Sequence, residues 1–188
     1  MTRVVLSIGS NLGDRLGRLQ SVVDRLGEAV QAISPVYETP PWGGVEQGPF
    51  LNAVLIAEDA TLDGHGWLRC AQEMEQAADR VRGQRWGPRT LDVDLVSCYQ
   101  TSPVGDTEVF SRDDGLTLPH PLAHLRAFVM VPWLDVDPGA ELTVADGKQS
   151  VAELLTELDL ADRADVRLTG LQLEPRPDFR ASDRAPRI

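Results

Sequence analysis

The sequence predicts an α+β fold, an antiparallel sheet with helices packed on it. Three observations carry that expectation: short β-rich apolar runs, two longer segments with helical periodicity, and the order in which they alternate. Val4, Val5, Leu6 and Ile8 form the first run, closed by Gly9 and Ser10. Leu12, Leu16, Leu19, Val22, Val23, Leu26 and Val30 then recur at three- and four-residue steps, which predicts an amphipathic helix of about five turns. Ser10 or Asn11 is its expected N-cap, with Asp14 placed to favour the first-turn dipole. Ile33, Val36 and Tyr37 make a second extended stretch, and Pro35 within it predicts an edge strand or a bulge. Residues 39–44 (TPPWGG) read as a stiff loop followed by a flexible one.

Residues 50–57 (FLNAVLIA) predict a third strand, apolar on nearly both faces. Thr61 is expected to open a second helix carrying Leu62, Leu68, Ala71, Met74 and Ala78, its first turn weakened by Gly64 and Gly66. Residues 90–96 (TLDVDLV) predict the fourth strand. The order β-α-β-β-α-β is the split-βαβ, or ferredoxin-like, arrangement. Further on, residues 100–115 read as a loop with a hairpin near 107–110, and residues 116–134 as an apolar stretch broken by Pro119, Pro121 and Pro132. Ser150 and Glu153 have capping-box spacing ahead of Leu154, Leu155 and Leu158, which predicts a short helix. The expected organisation is a single domain over residues 1–160. A partly disordered C-terminal extension, 161–188, follows it, rich in Pro, Arg and Asp from Glu174 onward.

The chain has 188 residues, with 18 basic against 29 acidic, a formal net charge of −11. That sign argues against a protein that coats nucleic acid or binds an anionic membrane, because its far field repels phosphate. The N-terminus is too short in apolar residues for a signal h-region, and no apolar run approaches the ~18 residues of a membrane span. Cys70 and Cys98 form neither a CxxC pair nor a disulfide framework. A cytoplasmic, monomeric protein acting on small molecules is the expectation.

Residues 80–89 (RVRGQRWGPR) hold four arginines and no acid. Gly83, Gly87 and Pro88 make most of the segment loop. Arginine's forked donors suit phosphate, so a loop that gathers several can surround a polyphosphate. The competing reading is pairing with the surplus surface carboxylates. Directly behind stand Asp92 and Asp94. In a strand i and i+2 share a face, so these carboxylates lie side by side with Cα atoms roughly 6.7 Å apart. Two acids so placed repel unless a cation sits between them, and Mg²⁺ bound by carboxylates plus substrate phosphates meets that need. A lone DxD is more often a solvated strand face. Beside Arg89 it reads as nucleoside-triphosphate chemistry. No GxxxxGK[ST] loop is present, and His120, taken alone, reads as structural.

Together the runs IGSNLGDR (8–15), SPVYETPP (34–41), FLNAV (50–54), RVRGQRWGPRTLDVDL (80–95), LTLPHP (116–121) and RAFVMVP (126–132) closely resemble the 6-hydroxymethyl-7,8-dihydropterin pyrophosphokinases of folate biosynthesis. The resemblance implies transfer of the β,γ-pyrophosphoryl group of ATP to the pterin hydroxymethyl oxygen, with release of AMP. It implies that Asp92 and Asp94 hold two Mg²⁺ ions and that Arg80 and Arg82 close over the triphosphate. It assigns ATP contacts to Leu68, Gln72, Glu75, Arg85, Trp86, Arg89, Leu95, Thr117, His120 and Arg126. The pterin pocket it implies comprises Thr39, Pro40, Trp42, Phe50, Asn52 and Asp92, with Trp86 and Phe128 sandwiching the flat ring. Phe50 stands where many members carry tyrosine.

Two other classes share parts of this pattern. An RNA-recognition module has the same element order, but needs strand aromatics and a basic sheet face, against 5% aromatic content and two aspartates here. A non-catalytic ligand-binding domain leaves the arginine cluster unexplained.

Overall fold

The computed structural model describes residues 1–41, 47–79 and 88–175. Its centre is β1 (Thr2–Ser10), where Val4, Leu6 and Ile8 point to one face and Val5, Ser7 and Gly9 to the other. β1 pairs antiparallel with β4 (Phe50–Asp59) on one side and β5 (Asp92–Gln100) on the other. Beyond β4 lie two short strands, β2 (Val30–Ile33) and β3 (Tyr37–Thr39), separated around Pro35 because proline has no N–H to give the ladder. Every one of these pairings is antiparallel.

On one face pack α1 (Arg15–Leu26) and α2 (Gly64–Ala77), which bury Leu19, Val22, Val23, Trp67, Ala71 and Met74 against the β1, β4 and β5 side chains. Both helices begin later than their periodicity suggests. α1 is capped by the Asp14 carboxylate, which accepts the Gly17 N–H, and not by Ser10 or Asn11. Those two are taken up elsewhere: the Ser10 hydroxyl donates to the Thr90 carbonyl, and Asn11 exchanges backbone and side-chain bonds with Arg89. α2 is capped by Asp63, which accepts from Gly66, while Thr61 is held in a turn by Asp59. Val30, expected in the first helix, starts β2, since Gly27 at positive φ (53°) ends the helical run.

The second face is half covered. α3 (Ala127–Val136), the hairpin β9 (Glu141–Val144) and β10 (Gly147–Ser150), and α4 (Val151–Glu157) bury Val129, Met130, Trp133, Leu142, Val151 and Leu154 over Val5, Val54 and Val96. The prolines do not break residues 127–136: Pro132 lies inside α3, where burial of an almost wholly apolar helix outweighs one missing hydrogen bond. Ser150 occupies the cap position of α4 without a side-chain cap bond; its backbone is already paired with Glu141. The 98–115 stretch extends β5 to Gln100 and adds β6 (Thr107–Glu108) on its edge. β7 (Ser111–Arg112) pairs with β8 (Thr117–Leu118).

Residues 161–175, placed by the sequence in an extension, return to the core. After α5 (Leu160–Ala164), β11 (Arg167–Leu168) pairs with β3, Leu173 is buried among the helix-side residues, and Gln20 bonds both backbone groups of Glu174. Of the stretch where Pro35 suggested an edge or a bulge, β2 pairs with β4 alone among the described strands and is bulged between Val30 and Ala32, whereas β3 is covered, the C-terminal segment satisfying its outer backbone groups. The disorder expected of the tail from 176 onward concerns residues outside those described.

Tyr37 ties β3 to α3: its hydroxyl donates to Asp135 Oδ2 at 2.6 Å. Burial, and then the Asp135 carboxylate, push the phenol up from 10.0 to about 12. The unfolded chain gives up this proton first, so stability is intact below pH 10 and falls as pH rises toward 12. Tyr37→Phe is expected to lack that component, about 2 kcal/mol at most. Denaturant titrations of the two proteins at pH 8 and pH 11 check it; an identical alkaline loss in both refutes the assignment.

Candidate active site

Strand register builds the site. On the half of the second face that α3 leaves open, Gly9 faces Asn52 on one side and Asp92 on the other, and Ser7 faces Asp94. Phe50 and Asn52 share this face on β4 by the two-residue period, as Asp92 and Asp94 do on β5. Val93 and Leu95 point the other way, into the helix-side core. The resulting cleft of about 570 Å³ is lined by Thr39, Pro40, Phe50, Asn52, Arg89, Asp92, Asp94, Arg126 and Phe128, and by Ser7 and Gly9, which were not singled out from sequence. The alternation Leu6-Ser7-Ile8-Gly9 was the signal for the last two: small or polar residues interleaved with buried apolar ones.

Each carboxylate meets a guanidinium. Arg89 Nη1 donates to Asp92 Oδ2, and Arg126 Nη1 donates to Asp94 Oδ2 at 2.9 Å. Arg126 also lies over the Phe128 ring, 5.7 Å from its centroid. Arg89 is anchored through its backbone, its N–H donating to Asn11 Oδ1 at 2.7 Å and its carbonyl accepting the Asn11 N–H. Asn11 Nδ2 in turn reaches Gln47 Oε1 and the Gly48 carbonyl, so one side chain joins three loop segments at the cleft rim.

Asn52 is 4% exposed and donates through Nδ2 to Thr39 Oγ1 at 2.7 Å. Its Oδ1 lies against Gly9, where a Cβ would come within 2.9 Å. His120, after the cis Leu118–Pro119 bond, has Nε2 3.9 Å from Asp94 Oδ2, too far for a hydrogen bond. Burial, and then the Arg126 charge, lower its pKa from 6.5 to about 4, so the ring is neutral at pH 7. Nδ1 accepts the Leu122 N–H, which places the proton on Nε2, facing Asp94.

The other expected residues that the structure describes are not among those lining this cleft. Glu75 is buried on α2 and its Oε1 accepts the Val93 N–H at 2.9 Å, gripping β5 between the two aspartates. Leu95 is 5% exposed in the helix-side core and presents no side chain to the cleft. Leu68 and Gln72 are on α2, and Thr117 is on β8, opposite Arg112. Trp42, Arg80, Arg82, Arg85 and Trp86 lie outside the described residues.

Among the described residues no three His, Cys, Asp or Glu side chains are grouped to hold a metal ion. Two hard carboxylates on one strand face fit Mg²⁺, which keeps its other positions for phosphate oxygens and water.

Residues 5–138 match the family described as 7,8-dihydro-6-hydroxymethylpterin-pyrophosphokinase (HPPK). A 2-amino-4-hydroxy-6-hydroxymethyldihydropteridine pyrophosphokinase of Mycobacterium bovis is 63% identical over 187 residues, covering 99% of this chain and 96% of its own. The protein of that name from Mycobacterium leprae is 62% identical over 176 residues, covering 93% of this chain and 92% of its own. One from Methylorubrum extorquens is 40% identical, covering 85% and 95%. In fold, the chain is similar to the crystal structure of wild-type Plasmodium falciparum HPPK-DHPS with SDX-DHP. The TM-score is 0.58 at 12% identity over 83% of this chain, which spans 44% of that longer one. The motif runs, the paired aspartates and the extent of these matches converge: the chain belongs to the 7,8-dihydro-6-hydroxymethylpterin-pyrophosphokinase family.

Proposed function

We propose that this chain transfers the β,γ-pyrophosphoryl group of ATP to the hydroxymethyl oxygen of 6-hydroxymethyl-7,8-dihydropterin, giving the pterin diphosphate and AMP in folate biosynthesis. The observation that carries this reading is the meeting of Asp92 and Asp94 with Asn52 and Phe128 in one cleft. A bond forms between the hydroxymethyl oxygen and the β-phosphorus, and the α,β-bridging bond breaks, leaving AMP. The hydroxymethyl proton passes to solvent, since a loose phosphoryl transfer asks for positioning and charge neutralisation more than for a strong base.

Asp92 and Asp94 would hold Mg²⁺, which supplies neutralisation of triphosphate charge. Arg89 and Arg126, already at the carboxylates, are placed to take phosphate oxygens, and neutral His120 has an Nε2–H donor beside Asp94. Asn52, oriented by Thr39, would bond the polar edge of the pterin, and Phe128 would stack on one ring face. Arg80, Arg82, Arg85 and Trp86 take the triphosphate and opposite-face roles in this reading, with Trp42 bordering the pterin and the α2 residues Leu68 and Gln72 on the adenosine side.

The pairing order β5-β1-β4 with β2 and β3 beyond supports a ferredoxin-like core. The net charge of −11 supports small-molecule partners over nucleic acid, and no helix among the described residues is long and apolar enough to cross a membrane. We take the enzyme to be a cytoplasmic monomer.

Incubation with ATP, Mg²⁺ and the dihydropterin should release AMP in step with pterin diphosphate; ADP as the nucleotide product refutes the reaction. Gly9→Ala tests the pterin pocket separately. The new methyl meets Asn52, which Thr39 prevents from moving freely, so KM for the pterin should rise about tenfold with little change in KM for ATP. Equal changes in both would dissociate Gly9 from the pterin side.

A further inference from the structure

On the pterin side of the cleft, Asn52 takes its orientation from Thr39, and Phe128 supplies an aromatic ring. Thr39 is the last residue of β3, a strand of only three residues. A strand that short, paired on one side alone, is a weak support. Phe128 is the second residue of α3. The accuracy of this half of the site therefore depends on what holds β3 and the start of α3.

The C-terminal segment touches both. α5 lies against α3. β11 then pairs with β3, Arg167 opposite Glu38 and Leu168 opposite Tyr37. Thr169 extends that pairing with two bonds to one acceptor: the carbonyl of Val36, which is fully buried, takes the Thr169 N–H at 3.0 Å and the Thr169 hydroxyl at 2.7 Å. The Leu171 N–H donates to that same hydroxyl oxygen at 3.1 Å and so fixes its rotamer. Further on, Leu173 enters the helix-side core and Gln20 holds both backbone groups of Glu174, so the segment is tied down beyond β11 as well. A second hollow, lined in part by Asp162, Asp165 and Val166, shares Thr39, Pro40 and Phe128 with the cleft. Three residues of the pterin side are thus bordered by the cleft and by the C-terminal segment.

We propose that residues 160–169, well past the last motif run at Pro132, are a positioning element of the pterin half of the site, with Thr169 as its positioning residue. By fixing β3 from its outer side while α5 rests on α3, the segment sets Thr39, and through it Asn52, at a defined distance from Phe128. The inference rests on the pterin reading of this cleft. It is specific to that half. Asp92 and Asp94 stand on β5, which β4 and β1 separate from β3, so a disturbance at β3 reaches the pterin wall before it reaches the metal ligands. Binding and transfer are sensitive to displacements of about 1 Å, which a released short strand readily supplies.

The test is a binding measurement on the full chain. The intrinsic fluorescence of 6-hydroxymethylpterin reports its own binding in the presence of Mg²⁺ and a non-hydrolysable ATP analogue, and a fluorescent ATP analogue reports the nucleotide. Thr169→Pro removes both bonds to Val36 and should weaken pterin binding about tenfold; Thr169→Val removes only the hydroxyl bond and should weaken it about threefold. Thr169→Ser keeps both donors and should bind the pterin like the parent. Nucleotide affinity should be unchanged in all three. Trp67→Phe is the control for general destabilisation, since it takes away the indole bond to Thr2 Oγ1 at 2.9 Å on the helix-covered face and should leave pterin affinity in place. If the proline variant fails to fold, the valine and serine pair decides. Parent-like pterin affinity in the valine variant, equal weakening of pterin and nucleotide, or the same weakening in Trp67→Phe overturns the proposal. A parent chain that binds the nucleotide but no pterin overturns the pterin reading itself, and the positioning role with it.

Discussion

Replacing Asp94 or Asp92 by alanine is expected to cut AMP formation about a thousandfold, with the protein still folded. On the proposed role of this pair in holding Mg²⁺, the charge stabilisation lost with either carboxylate would be worth about 4 kcal/mol, which sets that factor. The two variants should differ in detail. Asp94→Ala releases Arg126, which is 11% exposed and also held over Phe128, whereas Asp92→Ala releases Arg89, whose backbone Asn11 keeps in place. Binding of Mn²⁺ in the presence of a non-hydrolysable ATP analogue should weaken in both. Turnover within tenfold of the parent in either variant would remove that aspartate from the metal site.

Glu75→Ala should lower stability by about 2 kcal/mol, the contribution of a buried charge-assisted hydrogen bond, and the melting temperature by about 4–8 °C. The carboxylate accepts the N–H of Val93, whose chain neighbours are the two aspartates, so loosening it lets both drift. Turnover should fall about tenfold or more, because phosphoryl transfer depends on placement at the ångström level. Glu75→Gln keeps an acceptor at the same reach and should recover most of the stability. An alanine variant that melts and turns over like the parent would show that β5 needs no anchor from α2.

The placement of Asp92 and Asp94 on one face was legible because the strand period is two and local, and so was the burial of Val93 and Leu95 behind them. The same rule fails four residues later. Strict alternation from Asp92 would put Cys98 on the aspartate face, but the register shift opposite Val5 and Leu6 leaves Val96 as the extra residue and turns Cys98 into the helix-side core. A bulge depends on the partner strand, which a local pattern does not contain. Asn11 is similar. Its residue type fits a helix cap, and only the approach of residues 88–90 diverts it to Arg89 and leaves the cap to Asp14. Pro35 does keep β2 and β3 short, yet β3 is not an edge, because a segment more than a hundred residues later pairs with it.

Local order and short-range chemistry thus specified β1, β4 and β5, the two main helices, the side-by-side aspartates and the family signature, since each is written in the spacing of neighbours along the chain. Tertiary structure decided which half of the second face stays open. It set Gly9 against Asn52 and each aspartate against its arginine, and it placed Glu75 behind the strand instead of in the cleft. Those outcomes follow from register and from helices arriving from distant parts of the chain, and contacts of that kind leave no periodicity in the sequence.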